Sequence, residues 1–178
     1  MYSEFVDFTF YFCKKKMMTP VELHKKATEK YTENKKYLAK LKNKTPRNLD
    51  QTMESLHEDV FEEIDCLACA NCCKTTSPIF MDKDIERIAH HFRLRPADFI
   101  AKHLHLDSDG DYVHNGAPCP FLGGDNYCSI YDVRPKACAG YPHTDRKKAA
   151  QLLPKTLEST KICPAVFEIV ERLKKVYV

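Results

Sequence analysis

The chain is poor in glycine, with 5 among 178 residues, and it has no internal repeat. Together with only 10 prolines, that excludes collagen-like and low-complexity architectures. No glycine-rich phosphate loop occurs, and no serine, histidine and aspartate are spaced as a hydrolytic triad would need. No run approaches the roughly 18 apolar residues of a transmembrane helix. The acidic stretch beginning at Asp107 is no calcium loop. The sixth and twelfth positions need Gly and Glu, and Tyr112 and Pro118 stand there. Net charge is +3, too small to demand a polyanionic partner by itself.

What is present is the profile of a globular protein, 43% apolar and 30% charged, of about one domain's length. Its charge is unevenly placed. Lys14 to Arg47 holds twelve basic and three acidic residues, whereas Asn48 to Asp65 holds seven acidic and no basic one. The simplest expectation is two neighbouring helices that pair by charge. The sharper one is a basic arm, with Lys25, Lys26, Lys35 and Lys36, that meets nucleic acid or a protein partner.

The chain is organised in three stretches. Residues 1–16 read as a leader, a start-site artefact or a disordered extension. Phe8, Phe10 and Phe12 precede the lysines, with Glu4 and Asp7 ahead of them, which inverts a secretory signal and places the protein in the cytoplasm. Residues 17–65 read as a helical hairpin arm. Thr19, Pro20 and Glu22 form a capping-box start, and the helix runs to about Asn43. Leu49, Met53, Leu56, Val60 and Ile64 carry helical spacing to Asp65. Residues 66–178 read as a cysteine domain. It should contain short helices from Asp82 and from Pro96, a hairpin turning between Leu106 and Tyr112, and a second hairpin around Gly123 to Asn126. A breaker-containing connection through Arg146 to Pro154 leads to a final helix after Cys163-Pro164. The fold class is α+β and mainly helical: a small metal-stapled cysteine domain with a short β-hairpin and an N-terminal helical arm.

Nine cysteines carry the chemistry, and all but Cys13 lie in residues 66–163. The stretch CLACANCC places Cys66, Cys69, Cys72 and Cys73 within eight residues. In a reducing compartment such a cluster is a ligand set or a catalyst rather than a disulfide framework. Thiolates are soft donors, and C-x2-C turns bring two sulfurs to one side for tetrahedral zinc or iron. Adjacent side chains diverge, so Cys72 and Cys73 serve two metals, or one serves while the other stays a free thiolate. The eight sulfurs make two four-sulfur sites or a single polynuclear one. Cys66, Cys69 and Cys72 also match the first three positions of a bacterial ferredoxin run, although Thr76 occupies the fourth. Cys119-Pro120 or Cys163-Pro164 could complete a [4Fe–4S] ligand set.

CLACANCC, with PCPFL, CSIYDVRPKAC and GYP downstream, closely resembles the zinc- or iron-chelating CxxCxxCC proteins, the YkgJ-type cysteine cluster family, over about residues 65–165. The resemblance implies that Cys66, Cys69, Cys72, Cys73, Cys119, Cys128, Cys138 and Cys163 are metal ligands. It names no cellular role. The cysteine pattern is also similar to that of flagellin lysine N-methylases, larger enzymes with an iron–sulfur cluster and S-adenosylmethionine, which supplies an enzymatic alternative.

Other residues are candidates for supporting parts. His90, His91, His103 and His105 read as solvated, while His143 is close enough to Cys138 to be a second donor. Arg134 should pair with Asp132 or lie against thiolates. Tyr127, Tyr131 and Tyr141 read as packing around the metal, the alternative being base stacking.

Overall fold

The computed structural model describes residues 18–178. The expected leader at 1–16, with Cys13, lies outside the described residues. Helix α1 spans Pro20–Asn43 and α2 spans Leu49–Glu63. The chain then makes two single turns, α3 at Cys66–Cys69 and α4 at Asn71–Thr75, followed by α5 at Asp82–His91 and α6 at Pro96–His103. Strands β1, Leu104–Leu106, and β2, Tyr112–His114, pair antiparallel with Leu104 opposite His114. A 3-10 turn at Tyr131–Val133 and the one-turn α7, Lys136–Ala139, precede α8, Ala149–Ser159, and α9, Pro164–Val176. The protein is a mainly helical α+β structure with one small antiparallel hairpin among the described residues. No described helix is long and apolar enough to cross a membrane.

Helix α1 begins where its sequence directs. The Thr19 side chain accepts from the Glu22 amide at 3.2 Å, and the Glu22 carboxylate accepts from the Thr19 amide at 2.8 Å. Two donors that the first turn would leave unpaired are thereby satisfied. Leu23, Ala27, Leu38 and Leu41 form its buried stripe.

Both α1 and α2 lie chiefly against α8 and α9. Leu38, Leu49, Met53 and Val60 meet Leu153, Ile169, Val170 and Leu173 in one core. Each such side chain contributes about 1.5–3 kcal/mol on burial. The expected pairing of the basic and acidic blocks with each other gives way to α9, which carries both signs. Lys30 pairs with Glu171, and Arg172 makes a bidentate contact with Glu63 at 2.7 and 2.8 Å while also reaching Glu168 at 3.1 Å.

Two sequence expectations are corrected. The connection containing Pro154 is helix α8, because Ala149, Leu153, Thr156 and Leu157 are buried at helical spacing. Their packing outweighs the one hydrogen bond that proline removes. The start of α8 has no cap of its own. Asp50 of α2 supplies it, accepting from the Lys148 and Ala149 amides at 2.8 Å each. The second hairpin is a single bridge, Leu122 opposite Cys128, rather than a strand ladder.

A second core fills the segment between α4 and α7. Phe80, Ile85, Ile88, Phe99, Phe121 and Ile130 are buried together. Phe99 stacks on Phe121 at 6.2 Å and 14°, and Phe92 lies 5.9 Å from Phe121. Cys119 and Cys128 pack against this second core, whereas Cys163 packs against the first. Sulfurs thus lie at the margins of both.

Candidate metal centre

The 66–73 segment is built as two turns instead of one helix. Asp65 starts α3 by accepting from the Leu67 amide at 2.9 Å. Ala70 ends it in the left-handed region at φ 46°, with its N–H on the Cys66 carbonyl at 2.8 Å. That conformation costs a non-glycine residue about 1–2 kcal/mol. Its effect is to restart the helix in a new direction, so that Cys66 and Cys69 belong to one turn and Cys72 and Cys73 to the next.

Three long-range hydrogen bonds fix these turns. Asn71 donates from Nδ2 to the Ile162 carbonyl at 2.7 Å, the residue before Cys163. The Cys119 amide donates to the Cys73 carbonyl at 2.8 Å. Asn126 donates from Nδ2 to the Leu67 carbonyl at 2.8 Å. Thr76 closes α4 by donating its hydroxyl to the Cys72 carbonyl at 2.7 Å.

The segment carrying Cys119 and Cys128 turns at Gly123, whose N–H bonds the Tyr127 carbonyl at 2.7 Å. A Cβ at Gly123 would stand 2.6 Å from Asp125 Oδ1 and 3.2 Å from the Tyr127 carbonyl oxygen. Only glycine fits. Cys138 is set by α5. Buried Asp84 pairs with Arg87 Nη2 at 2.5 Å and accepts from the Lys136 amide at 3.2 Å. Arg87 in turn donates to the Val133 and Arg134 carbonyls at 3.3 and 2.9 Å. Sequence reading passed over this network. Its visible signal was an acid and a base three residues apart on a helix whose neighbouring positions are apolar.

All eight cysteines are free thiols. The Sγ atoms of Cys72 and Cys73 approach to 3.9 Å instead of diverging. The Cys72–Cys73 contact lowers the Cys73 pKa, against burial and with help from Lys74. Cys72, keeping the proton and buried beside a thiolate, is pushed well up. Burial raises Cys138 to about 12, and the nearby Cys73, Cys119 and Cys128 add to it. Burial raises Cys163 to about 11, with Cys66 and Cys69 as its sulfur neighbours. Cys66, Cys119 and Cys128 are raised for the same first reason. Crowded thiols resist ionisation, and a bound cation reverses that balance.

Among the described residues, no group of three or more His, Cys, Asp or Glu is drawn in to metal-ligand distance. The donor set nonetheless fits a thiophilic metal, and the backbone shows how. Amides of Ala165 and Val166 favour the thiolate of Cys163, those of Phe121 and Leu122 favour Cys119, and that of Ile130 favours Cys128. N–H groups two or three residues beyond a cysteine are the outer support that a charged metal thiolate needs.

The candidate supporting residues divide. Arg134 turns to Tyr131, its guanidinium 3.8 Å over the ring and its Nη1 donating to the carbonyl at 2.5 Å. From there its charge opposes the upward shifts of Cys128 and Cys138. Tyr141 is half-buried beside Cys163, Cys72 and Cys69, whereas Tyr127 and Tyr131 are more than half exposed. His90, His91 and His105 are exposed. His103 is not solvated: it sits 5.1 Å from the Phe99 ring and 5.4 Å from that of Phe121. His143 contacts the Tyr141 ring edge-on at 6.3 Å, and its pKa is lowered by burial and then by Arg146 and Lys155. No sulfur figures among the charges acting on it. His114, 1% exposed, escaped sequence reading, since one buried polar residue in a short strand leaves no periodic signal.

Clustered soft donors with amides aimed at several of them define a metal-chelating domain. A family model for CxxCxxCC, described as "Putative zinc- or iron-chelating domain", matches residues 65–164 and so spans all eight of these cysteines. The chain belongs to this family. No curated protein and no solved structure matches it.

Proposed function

We propose that the protein holds zinc or iron through Cys66, Cys69, Cys72, Cys73, Cys119, Cys128, Cys138 and Cys163, and that the metal joins its two hydrophobic cores. The observation that carries this reading is the position of α4. It is hydrogen-bonded on one side to the chain entering Cys163 and on the other to Cys119. Metal bound there would bridge elements about 100 residues apart in sequence, and structural zinc sites supply about 10–16 kcal/mol of apparent binding energy. The supporting residues are Arg134, as a positive charge beside Cys128 and Cys138, and Tyr141, as a cover over Cys163.

In this reading the protein is a binding or adaptor module of the cytoplasm. The exposed Lys25, Lys26, Lys35 and Lys36 on α1 offer its partner a positive surface. Anaerobic purification followed by elemental analysis and absorption spectroscopy tests the proposal. Colourless protein with bound zinc supports the module. A brown protein absorbing near about 400 nm identifies an iron–sulfur cluster and moves the assignment to the methyl-transfer alternative if S-adenosylmethionine also binds. Protein that carries no metal, and takes up neither zinc nor iron when reconstituted, overturns metal binding altogether.

A further inference from the structure

We infer that the eight thiols form two adjoining four-sulfur centres whose boundary falls between Cys72 and Cys73: Cys66, Cys69, Cys72 and Cys163 hold one metal, and Cys73, Cys119, Cys128 and Cys138 hold the other. This partition rests on the metal-binding reading above. It runs against sequence order, which would group the four sulfurs of CLACANCC and leave the four distant ones to each other.

Backbone hydrogen bonds and packing draw this line, and the neighbours of each sulfur agree with it. The Asn71 bond to Ile162 holds the chain entering Cys163 at the first residue of α4, while the Cys119 bond to Cys73 holds the segment entering the tight turn at its third. In the packing, Cys163 lies on the first core, and Cys119 and Cys128 lie on the second. Cys163 is flanked by Cys66 and Cys69, and Cys72 by Cys163. Cys138 is flanked by Cys73, Cys119 and Cys128. Across the line, Cys73 meets Cys72 at 3.9 Å and lies near Cys66, and Asn126 bonds the Leu67 carbonyl. Tyr141 lies among sulfurs of the first group, and Arg134 acts on sulfurs of the second.

The two centres then share a wall. With metal–sulfur bonds of about 2.3 Å on either side of the 3.9 Å contact between Cys72 and Cys73, the metals are at most about 8.5 Å apart. A peptide bond joins one ligand of each.

Cobalt(II) titration of the full chain under anaerobic conditions, read by its sulfur-to-cobalt absorption, tests the partition. Two equivalents should bind, each with the spectrum of a four-thiolate site. Pairing Cys69→Ser with Cys163→Ser should halve the bound cobalt. Pairing Cys69→Ser with Cys73→Ser should abolish four-thiolate binding. The opposite pattern would establish the sequence-order grouping and overturn the inference. Loss of all cobalt from any single variant would establish one polynuclear cluster and overturn it equally. X-ray absorption of the zinc-loaded, unsubstituted chain decides without variants: four sulfurs per zinc and no bridged metal–metal distance are expected, and a thiolate-bridged zinc pair would defeat the partition. A chain that binds no cobalt or zinc at all overturns the metal-binding reading itself, a result distinct from either wrong grouping.

Discussion

The helices α1, α2, α8 and α9 and the stretch they enclose between α2 and α8 are held by different physics. The four helices are long enough to present continuous apolar stripes, and all four meet in a core with residues such as Val60, Ile169 and Val170 wholly buried. Ion pairs through Lys30, Arg172 and Lys174 edge that core but add little, as exposed pairs do. The enclosed stretch has no helix longer than the ten residues of α5, and its only ladder is three residues deep. Isolated helices below about 12–15 residues are marginal in water. Its order comes from single hydrogen bonds by Asn71, Asp84 and Asn126 and from a small aromatic core. A frame that closes by burial has been joined to an inset that, in the function proposed above, closes by ligation.

The largest expected effect sharpens that contrast. Stripping metal under reducing, anaerobic conditions should free the amides between Cys66 and Cys138 to exchange with solvent, while α1, α2, α8 and α9 stay protected. The loss should be on the order of 10 kcal/mol for a structural site. Hydrogen exchange with mass spectrometry reads it peptide by peptide, and a loss spread evenly over both regions would erase the distinction drawn here.

A middle-sized effect is expected at Asp84. Its nearly buried carboxylate pairs with Arg87 and receives the Lys136 amide. Asp84→Ala should cost about 3 kcal/mol in urea denaturation by leaving those donors uncompensated. It should also weaken cobalt binding, since the turn carrying Cys138 loses its anchor. Unchanged cobalt affinity would show that Cys138 is placed by other means.

The smallest effect belongs to the frame. Tyr37 donates to the Leu173 carbonyl at 2.8 Å, and burial, followed by the neighbouring Tyr177, raises its pKa to about 12. A folded-state value above the free phenol's, about 10, favours the protonated form in the fold. Its contribution is therefore complete below pH of about 10 and fades as pH climbs toward 12. Tyr37→Phe should cost about 1 kcal/mol at pH near 8, and that difference from the parent should shrink as pH rises to about 11. A constant difference would remove Tyr37 from the alkaline response.

Legibility in the sequence followed the range of the interaction. The ends of α1 could be read because Thr19, Pro20 and Glu22 act on their own first turn. The cysteine set was legible because C-x2-C spacing is a local geometric requirement. Helix α8 was not, since Pro154 argues against it locally and the burial of Leu153 and Leu157 answers only in three dimensions. The Asp84 network and the tether from Asn71 to Ile162 span tens of residues and leave no periodic trace. For the same reason, spacing alone could not say which sulfur stands beside which.

The carboxylate of Asp50 has a wider meaning than a borrowed cap. By gripping Lys148 and Ala149 it acts as a clasp at the neck of a long excursion, whose departure and return are both fastened to the scaffold. The entropy of closing such a loop grows only with the logarithm of its length. Growth or trimming within the excursion should therefore burden the scaffold very little, leaving the sulfur-bearing portion free to diversify while its mounting stays fixed.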